Sequence, residues 1–387
     1  MTNRLGELDS LRGIAALIVL ASHFITIFLM VEEKVISQYP YLPFLWDGHS
    51  AVIMFFVLSG FVLSLPFHLN TRFNYWDYLV KRLFRIYIPY LVIILAVVLV
   101  KVVLFSRIGT IPGLTPWGVW DTKISFTIIV QHILFIGEYN SDALLMVVWS
   151  LVHEMRISLI FPFIIFILNK TNWKISIVLG IILSVISSIL IGQFPSEFNK
   201  PISTNYFITL HYISFFIMGA LIAKHKNNLV NKIADLKIKY LLLPLGILFF
   251  TYPKITYSPI LLLIGDIDFT LYLLIIDWII GIGATIIILL SFGIKQFSKF
   301  LLTKSAQFLG GISYSLYLVH PIILISMVHV LYGNLPIPFI LVASFIITMV
   351  VAVLNYKFIE VPSIRFGRKL TQLGYKDKGL VEKNKVN

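Results

Sequence analysis

The amino-acid sequence predicts an all-α protein, a polytopic membrane bundle of about ten transmembrane helices. Of its 387 residues, 58% are hydrophobic and only 13% are charged, and the mean hydropathy is +0.92. Soluble globular proteins carry about 25% charged residues, so the composition excludes that class. The abundant Phe, Tyr and Trp argue against disorder, and long unbroken apolar runs are typical of membrane helices rather than barrel strands. The absence of cysteine excludes disulfides and thiolate chemistry.

Ten apolar segments define the predicted spans, because a helix needs roughly 20 apolar residues to cross a bilayer. The seventh segment is short and contains Pro244, so its limits are the least well defined. A further apolar stretch, 124–136, is too short to span and is interpreted as an interfacial or re-entrant piece. The ten predicted spans are 13–31, 51–68, 86–105, 145–168, 174–192, 206–223, 240–253, 272–293, 309–330 and 337–358.

The basic residues orient these spans. If the N-terminus is cytoplasmic, most of the 31 Lys and Arg fall in loops on that side, as the positive-inside rule requires. Ten spans then return the C-terminus to the cytoplasm, and the net charge of +13 reflects topology rather than a nucleic-acid partner. We divide the chain into a transmembrane domain, 1–370, and a Lys-rich cytoplasmic tail, 371–387. The basic residues left on the outer side are Lys34, Arg107, Lys123, Lys200 and Lys254.

Arg12 and His23 are the first candidate functional residues, because ionisable groups are costly inside a membrane. They are 11 residues apart on the first span, about three helical turns, so both project from nearly the same face. Their separation along the axis is roughly 16 Å, which places Arg12 at the cytoplasmic surface and His23 near the bilayer midplane. The structural alternative is an orienting arginine and a histidine bonded to a neighbouring helix.

Lys81, Arg82 and Arg85 enter the third span from the cytoplasm and share one helical face. Such a face could bind phosphate groups, for which the guanidinium fork is well suited. It could equally rest on anionic lipid headgroups. The cluster alone does not separate these alternatives.

The fourth span carries His153, Glu154 and Arg156 within four residues. Three ionisable groups this deep cannot face lipid. A buried carboxylate near a histidine is either an acid, base or orienting group, or one partner of a structural Glu–Arg pair.

The ninth span places Ser313, Tyr317 and His320 on a common face, where packing and chemical roles are equally plausible. Asp277 in the eighth span is expected to be an isolated residue that pairs with a neighbouring helix. The remaining histidines, including His49 and His211, have no spacing that indicates a metal site, and none is predicted.

Taken together, these segments resemble the membrane acyltransferase 3 family over nearly the whole chain. No single motif would be sufficient, but six occur in the expected order with the expected number of spans. They are LDSLRGIAAL with its following His (8–23), FFVLSGF (within 52–63), RLFRIYIPY (82–90), WSLVHEM with its following Pro (149–162), SYSLYLVH (313–320) and EVP (360–362).

The resemblance implies transfer of an acyl group, usually acetyl from cytoplasmic acetyl-CoA, to a hydroxyl of a carbohydrate or related acceptor. Arg12 and His23 match the paired Arg and His of the family's first span, and Glu154 matches its Glu. Lys81 stands where the family often has Arg, which keeps the charge but loses the fork. Arg156 departs from the aromatic residues common at its position. Some relatives carry a further soluble domain, and none is expected here.

The predicted function is therefore an integral-membrane O-acyltransferase of the inner or plasma membrane that acts on a cell-surface or secreted carbohydrate. Acyl-CoA is the expected donor, with no metal and no nucleic-acid partner. His23 would act as general base or transient acyl carrier, and Glu154 would orient it or balance its charge. An exporter or flippase of a polysaccharide or lipid-linked sugar is the alternative. The donor-binding candidates are Arg12, Lys81, Arg82 and Arg85, and the supporting candidates are Asp9, Ser313, Tyr317 and His320.

Overall fold

The computed structural model describes residues 5–31, 48–68, 73–108, 123–194, 202–251 and 269–383. These ranges fold into a bundle of helices of very different lengths. In chain order the helices are α1 (Gly6–Val31), α2 (Gly48–His68), α3 (Tyr75–Arg82), α4 (Ile88–Ile108), α5 (Phe126–Leu134), α6 (Val148–Lys170), α7 (Trp173–Gln193), α8 (Tyr206–Asp235), α9 (Lys239–Thr251), α10 (Phe269–Gly293), α11 (Lys295–Leu301), α12 (Lys304–Leu331), α13 (Ile337–Asn355) and α14 (Val361–Lys383).

The predicted helical membrane bundle is confirmed. Among the described residues, nine helical stretches are long and apolar enough to cross a membrane, and the shorter apolar helix α9 coincides with the short seventh predicted span. Two stretches run through π-helical turns, Leu83–Tyr87 between α3 and α4 and Tyr356–Glu360 between α13 and α14. The short predicted piece 124–136 contains α5, whose nine residues cannot span a bilayer. The cytoplasmic placement of both termini stays a prediction.

Helices α1 and α12 run parallel and pack in a fixed register. Gln307 donates a hydrogen bond to Ser10 at 2.7 Å, and His320 contacts His23, with 297 residues separating the members of each pair. Gly13 and Gly310 share this spacing, and a Cβ on Gly13 would lie 2.5 Å from the Gly310 nitrogen. Glycine at both positions therefore allows the two backbones to touch, as small residues do in membrane helix pairs.

Helices α2 and α8 make a second close backbone contact. A Cβ on Gly60 would collide with the carbonyl oxygen of Phe216, and a Cβ on Gly219 would collide with that of Val57. Both glycines are buried among fully packed aromatic side chains. This contact fixes α2, which also lies against α1, in the centre of the bundle.

The segment between α5 and α6 is mostly non-helical, and cationic side chains hold it in place. Arg156 donates from Nε to the Ile136 carbonyl at 2.9 Å and from Nη2 to the Gly137 carbonyl at 2.7 Å. Buried Lys101 donates to the Ala143 carbonyl at 2.9 Å. Within a membrane domain, backbone carbonyls outside helices need protein partners of this kind. The unusual Arg156 is therefore explained by the backbone that it binds.

Replacing Arg156 with methionine is expected to destabilise the protein by about 2–3 kcal/mol, because the two carbonyls lose a charged donor. The measurement is the midpoint of thermal unfolding of the purified protein in a fixed detergent. Lys170→Met is the matched control, since Lys170 lies over the Phe166 ring at the end of the same helix. Equal midpoints for the two variants would contradict the assignment.

Candidate functional site

His23 and His320 form a contact pair between α1 and α12. Nδ1 of His23 lies 2.8 Å from Nε2 of His320, and the two rings stack with their centroids 5.1 Å apart. Nδ1–H of His320 donates to the Leu316 carbonyl at 3.0 Å. In the neutral pair, Nε2 of His320 is then an acceptor, and His23 donates to it from Nδ1. The lone pair of the His23 ring is thereby placed on Nε2.

The arginines gather nearer the beginning of α1. Arg12 pairs with Asp9 at 3.3 Å and donates to the Leu58 carbonyl at 3.4 Å. The charges of Arg82 and Arg85 lie close enough to Arg12 to repel it, while the carboxylates of Asp9 and Glu154 attract it. Three guanidinium groups from two separate stretches of helix therefore converge on one region, which is the arrangement that binds a multiply charged anion.

The three basic residues around the first π-helical turn have different surroundings. Arg82 is buried, whereas Lys81 and Arg85 are exposed. The turn Leu83–Tyr87 carries Arg85, and π-helical turns are frequent at functional sites. The three residues predicted to share one face therefore differ in exposure: Arg82 faces the bundle interior, and Lys81 and Arg85 face its surface.

Glu154 lies with the arginines. Its Oε1 atom accepts a hydrogen bond from the Ser59 hydroxyl at 3.0 Å and lies 3.9 Å from Nη1 of Arg82. His23 contacts His320. Glu154 is thus placed to orient Arg82, while its predicted action on His23 stays a prediction.

Tyr317 connects the histidine pair to α6. Its hydroxyl lies 2.6 Å from the Ser150 hydroxyl and donates to the Val147 carbonyl at 3.2 Å. Its ring packs edge-on against His320, with the centroids 6.1 Å apart. Tyr317 therefore supports the pair, as a second layer of the site would. Ser313 donates to the Gly310 carbonyl of its own helix.

Asp277 is the centre of a second buried polar cluster. Its two carboxylate oxygens lie 2.7 Å from Nε2 of His49 and 3.2 Å from Nε2 of His211. Nδ1 of His211 continues to the Ser184 hydroxyl at 3.0 Å. Asp277 was expected to be an isolated interhelical partner, but it joins α2, α8 and α10. Two histidines therefore share the cost of burying its carboxylate.

Sequence reasoning missed Ser59, His49 and His211. Ser59 lies in the FFVLSGF segment that carries part of the family resemblance, but a small uncharged residue in an apolar run gives no indication of which group it contacts. His49 and His211 lie 228 and 66 residues from Asp277. No spacing along the chain could have connected them.

Two comparisons with known proteins found relatives of this chain. A family model described as an acyltransferase domain matches residues 5–356. The O-acetyltransferase OatA of Staphylococcus aureus strains NCTC 8325 and COL is 25% identical over 359 residues, which covers 86% of this chain and 55% of the relative. The corresponding OatA of strain MRSA252 is 25% identical over 349 residues, 83% of this chain and 53% of that protein.

The chain thus spans about half the length of the curated relatives it matches. No solved structure matches it significantly. The family model covers the helices that carry Arg12, His23, Arg82, Glu154 and His320. On this match, the multi-pass membrane protein described here belongs to the acyltransferase 3 family.

Proposed function

We propose that this protein is an O-acyltransferase that moves an acyl group, usually acetyl, from acyl-CoA to a hydroxyl of a cell-surface or secreted carbohydrate. The observation that carries the proposal is the shared helix α1, which bears Arg12 among the converging arginines and His23 in the histidine pair. An anion site and a nucleophilic imidazole are thereby held on one rigid element. The family match and the O-acetyltransferase relatives support this reaction class.

The converging arginines would hold the phosphates of the donor. Arg12 and His23 lie roughly 16 Å apart along α1, a length comparable to an extended pantetheine arm. Phosphates bound by Arg12, Arg82 and Arg85 would therefore present the thioester beside His23. With the predicted topology, the donor enters from the cytoplasm and the acceptor from the other side of an inner or plasma membrane.

The histidine pair would carry out the transfer. Nε2 of His23 either takes the proton of the acceptor hydroxyl or accepts the acyl group before passing it on. In both cases the ring gains positive character, and His320 stabilises it by accepting the Nδ1 proton in a hydrogen bond. The role of His320 parallels that of the orienting group in other base-dependent transferases.

The test is expression of the wild type in its native host after deletion of the chromosomal copy. Base-labile acyl esters on surface glycans would be measured by NMR and mass spectrometry, with membrane levels of the protein checked in parallel. Esters that depend on the protein would support the proposal and identify the acceptor. Unchanged esters, with altered amounts of glycan outside the cell, would contradict it and favour the exporter.

Arg85→Gln is expected to raise the KM for acetyl-CoA about tenfold, because one charge-assisted contact to phosphate is removed. The measurement is acetyl transfer by the purified protein at several donor concentrations. Lys299→Gln on α11 removes an equal charge on a different helix and is expected to leave the KM unchanged. A KM for Arg85→Gln equal to the wild-type value would exclude this residue from the donor site.

A further inference from the structure

Two consecutive residues of α2 lie between buried Arg82 and partly buried Arg12. The Leu58 carbonyl accepts a hydrogen bond from Nη2 of Arg12 at 3.4 Å. The neighbouring Ser59 hydroxyl donates to Oε1 of Glu154 at 3.0 Å. One helix position therefore contacts Arg12 directly, and the next contacts the carboxylate that faces Arg82.

The Arg82–Glu154 contact is unusually long for a charged pair with this degree of burial. Nη1 of Arg82 lies 3.9 Å from Oε1 of Glu154, with side-chain exposures of 10% and 19%. Close arginine–carboxylate pairs lie at about 2.7–2.9 Å and are often bidentate. The same oxygen, Oε1, is the one that accepts the Ser59 hydroxyl. Ser59 is therefore in a position to restrain the carboxylate at a distance.

We infer that Ser59 is a positioning residue that keeps Glu154 from forming a close bidentate pair with Arg82. The inference rests on the proposed function, in which Arg82 binds the donor phosphates. A guanidinium presents its five N–H groups as a planar fork that binds a carboxylate or a phosphate bidentately. A close bidentate pair with Glu154 would occupy one edge of that fork and neutralise much of its charge, so Arg82 would bind a phosphate more weakly. Because Ser59 restrains it, Glu154 orients the Arg82 guanidinium but leaves its N–H groups available to a phosphate.

The adjacent glycine places the serine. Gly60 lets α2 touch the backbone of α8 at Phe216, which fixes the rotation of α2 about its axis. Ser59, one residue earlier, is thereby turned toward α6 and Glu154. The Ser-Gly pair of the FFVLSGF segment thus combines a packing residue with a positioning residue.

The experiment titrates coenzyme A into the purified protein in lipid nanodiscs and measures the Kd by isothermal titration calorimetry. Ser59→Ala is expected to weaken coenzyme A binding about tenfold, since a hydrogen bond to a charged group is lost and Glu154 closes on Arg82. In a Glu154→Ala background, the same change is expected to alter the Kd less than about twofold. Ser59→Thr retains the hydroxyl and should bind within about twofold of the wild type.

Ser64→Ala is the matched control. Ser64 is buried on the same helix and donates only to the Phe61 carbonyl of its own backbone, so its loss should leave the Kd unchanged. Wild-type binding by Ser59→Ala, or an equal loss in the Glu154→Ala background, would overturn the inference. Failure of the wild type itself to bind coenzyme A would instead refute the proposed donor.

Discussion

His23→Ala is expected to reduce acyl transfer at least about a hundredfold, because a positioned acid–base group contributes a factor of at least about that size. The variant removes the Nε2 lone pair that the contact with His320 sets in place. Its packing cost should be moderate, since the ring is only partly enclosed. The measurement is the acyl ester content of the surface glycan, normalised to the amount of protein in the membrane.

Two further variants separate chemistry from folding. His68→Ala removes an exposed histidine at the end of α2 and should retain full activity. His320→Phe keeps a ring but removes the acceptor for Nδ1–H of His23, so an intermediate loss is expected. Normal ester levels in a well-folded His23→Ala protein would refute the assignment of His23 to the reaction.

Gly219→Val is expected to prevent folding, or to destabilise the bundle by at least about 3 kcal/mol. A Cβ at this position would collide with the Val57 carbonyl and would lie 2.6 Å from the Phe61 nitrogen. Both are backbone atoms, so no side chain can move aside. The helices α2 and α8 would have to separate, and Ser59 would move with α2. The measurement is the yield of monodisperse protein after detergent extraction.

Gly192→Val is the control for the β-branched side chain itself. Gly192 lies near the end of α7, and nothing lies within 4 Å of the position of its Cβ. Both glycines are in membrane helices, so the change in helix propensity from Gly to Val is the same at the two positions. Equal yields of the two variants would show that the contact between α2 and α8 tolerates separation.

The fold could be predicted almost completely from the sequence, because one physical requirement decides it. A segment either is or is not long and apolar enough to cross a bilayer. Each of the ten predicted spans coincides with a helix, including the doubtful segment around Pro244, which forms a helix of 13 residues. The boundaries differ most at α14, at the end of α8 and at α3, where helical structure continues beyond the predicted limits.

The candidate site could be predicted only where one helix determines it. The depth of His23 below Arg12 follows from helical rise alone, and so does the common face of Tyr317 and His320. The pairing of His23 with His320 depends on where α1 meets α12, and contacts at Gly13 set that position. Periodicity along a chain carries no information about such a meeting.

For Glu154, the sequence indicates a functional residue but does not reveal which residues it contacts. Its depth and charge mark it as a functional residue, but its partner depends on how α6 is rotated against α2. The structure turns it toward Ser59 and Arg82. The FFVLSGF motif marks the position of Ser59, but the sequence does not show that its hydroxyl bonds to the Glu154 carboxylate.

The parallel contact of α1 and α12 also sets the distance along each helix at which the two histidines must lie. The two backbones touch at Gly13 and Gly310, and ten residues later on each helix His23 contacts His320. One residue inserted into either helix would turn the histidine beyond it by about 100° and raise it about 1.5 Å. Insertions should therefore be tolerated between spans but not along these ten-residue intervals, unless both helices change together. The number of helical residues between the glycines and the histidines, rather than any loop, thus determines whether His23 and His320 meet.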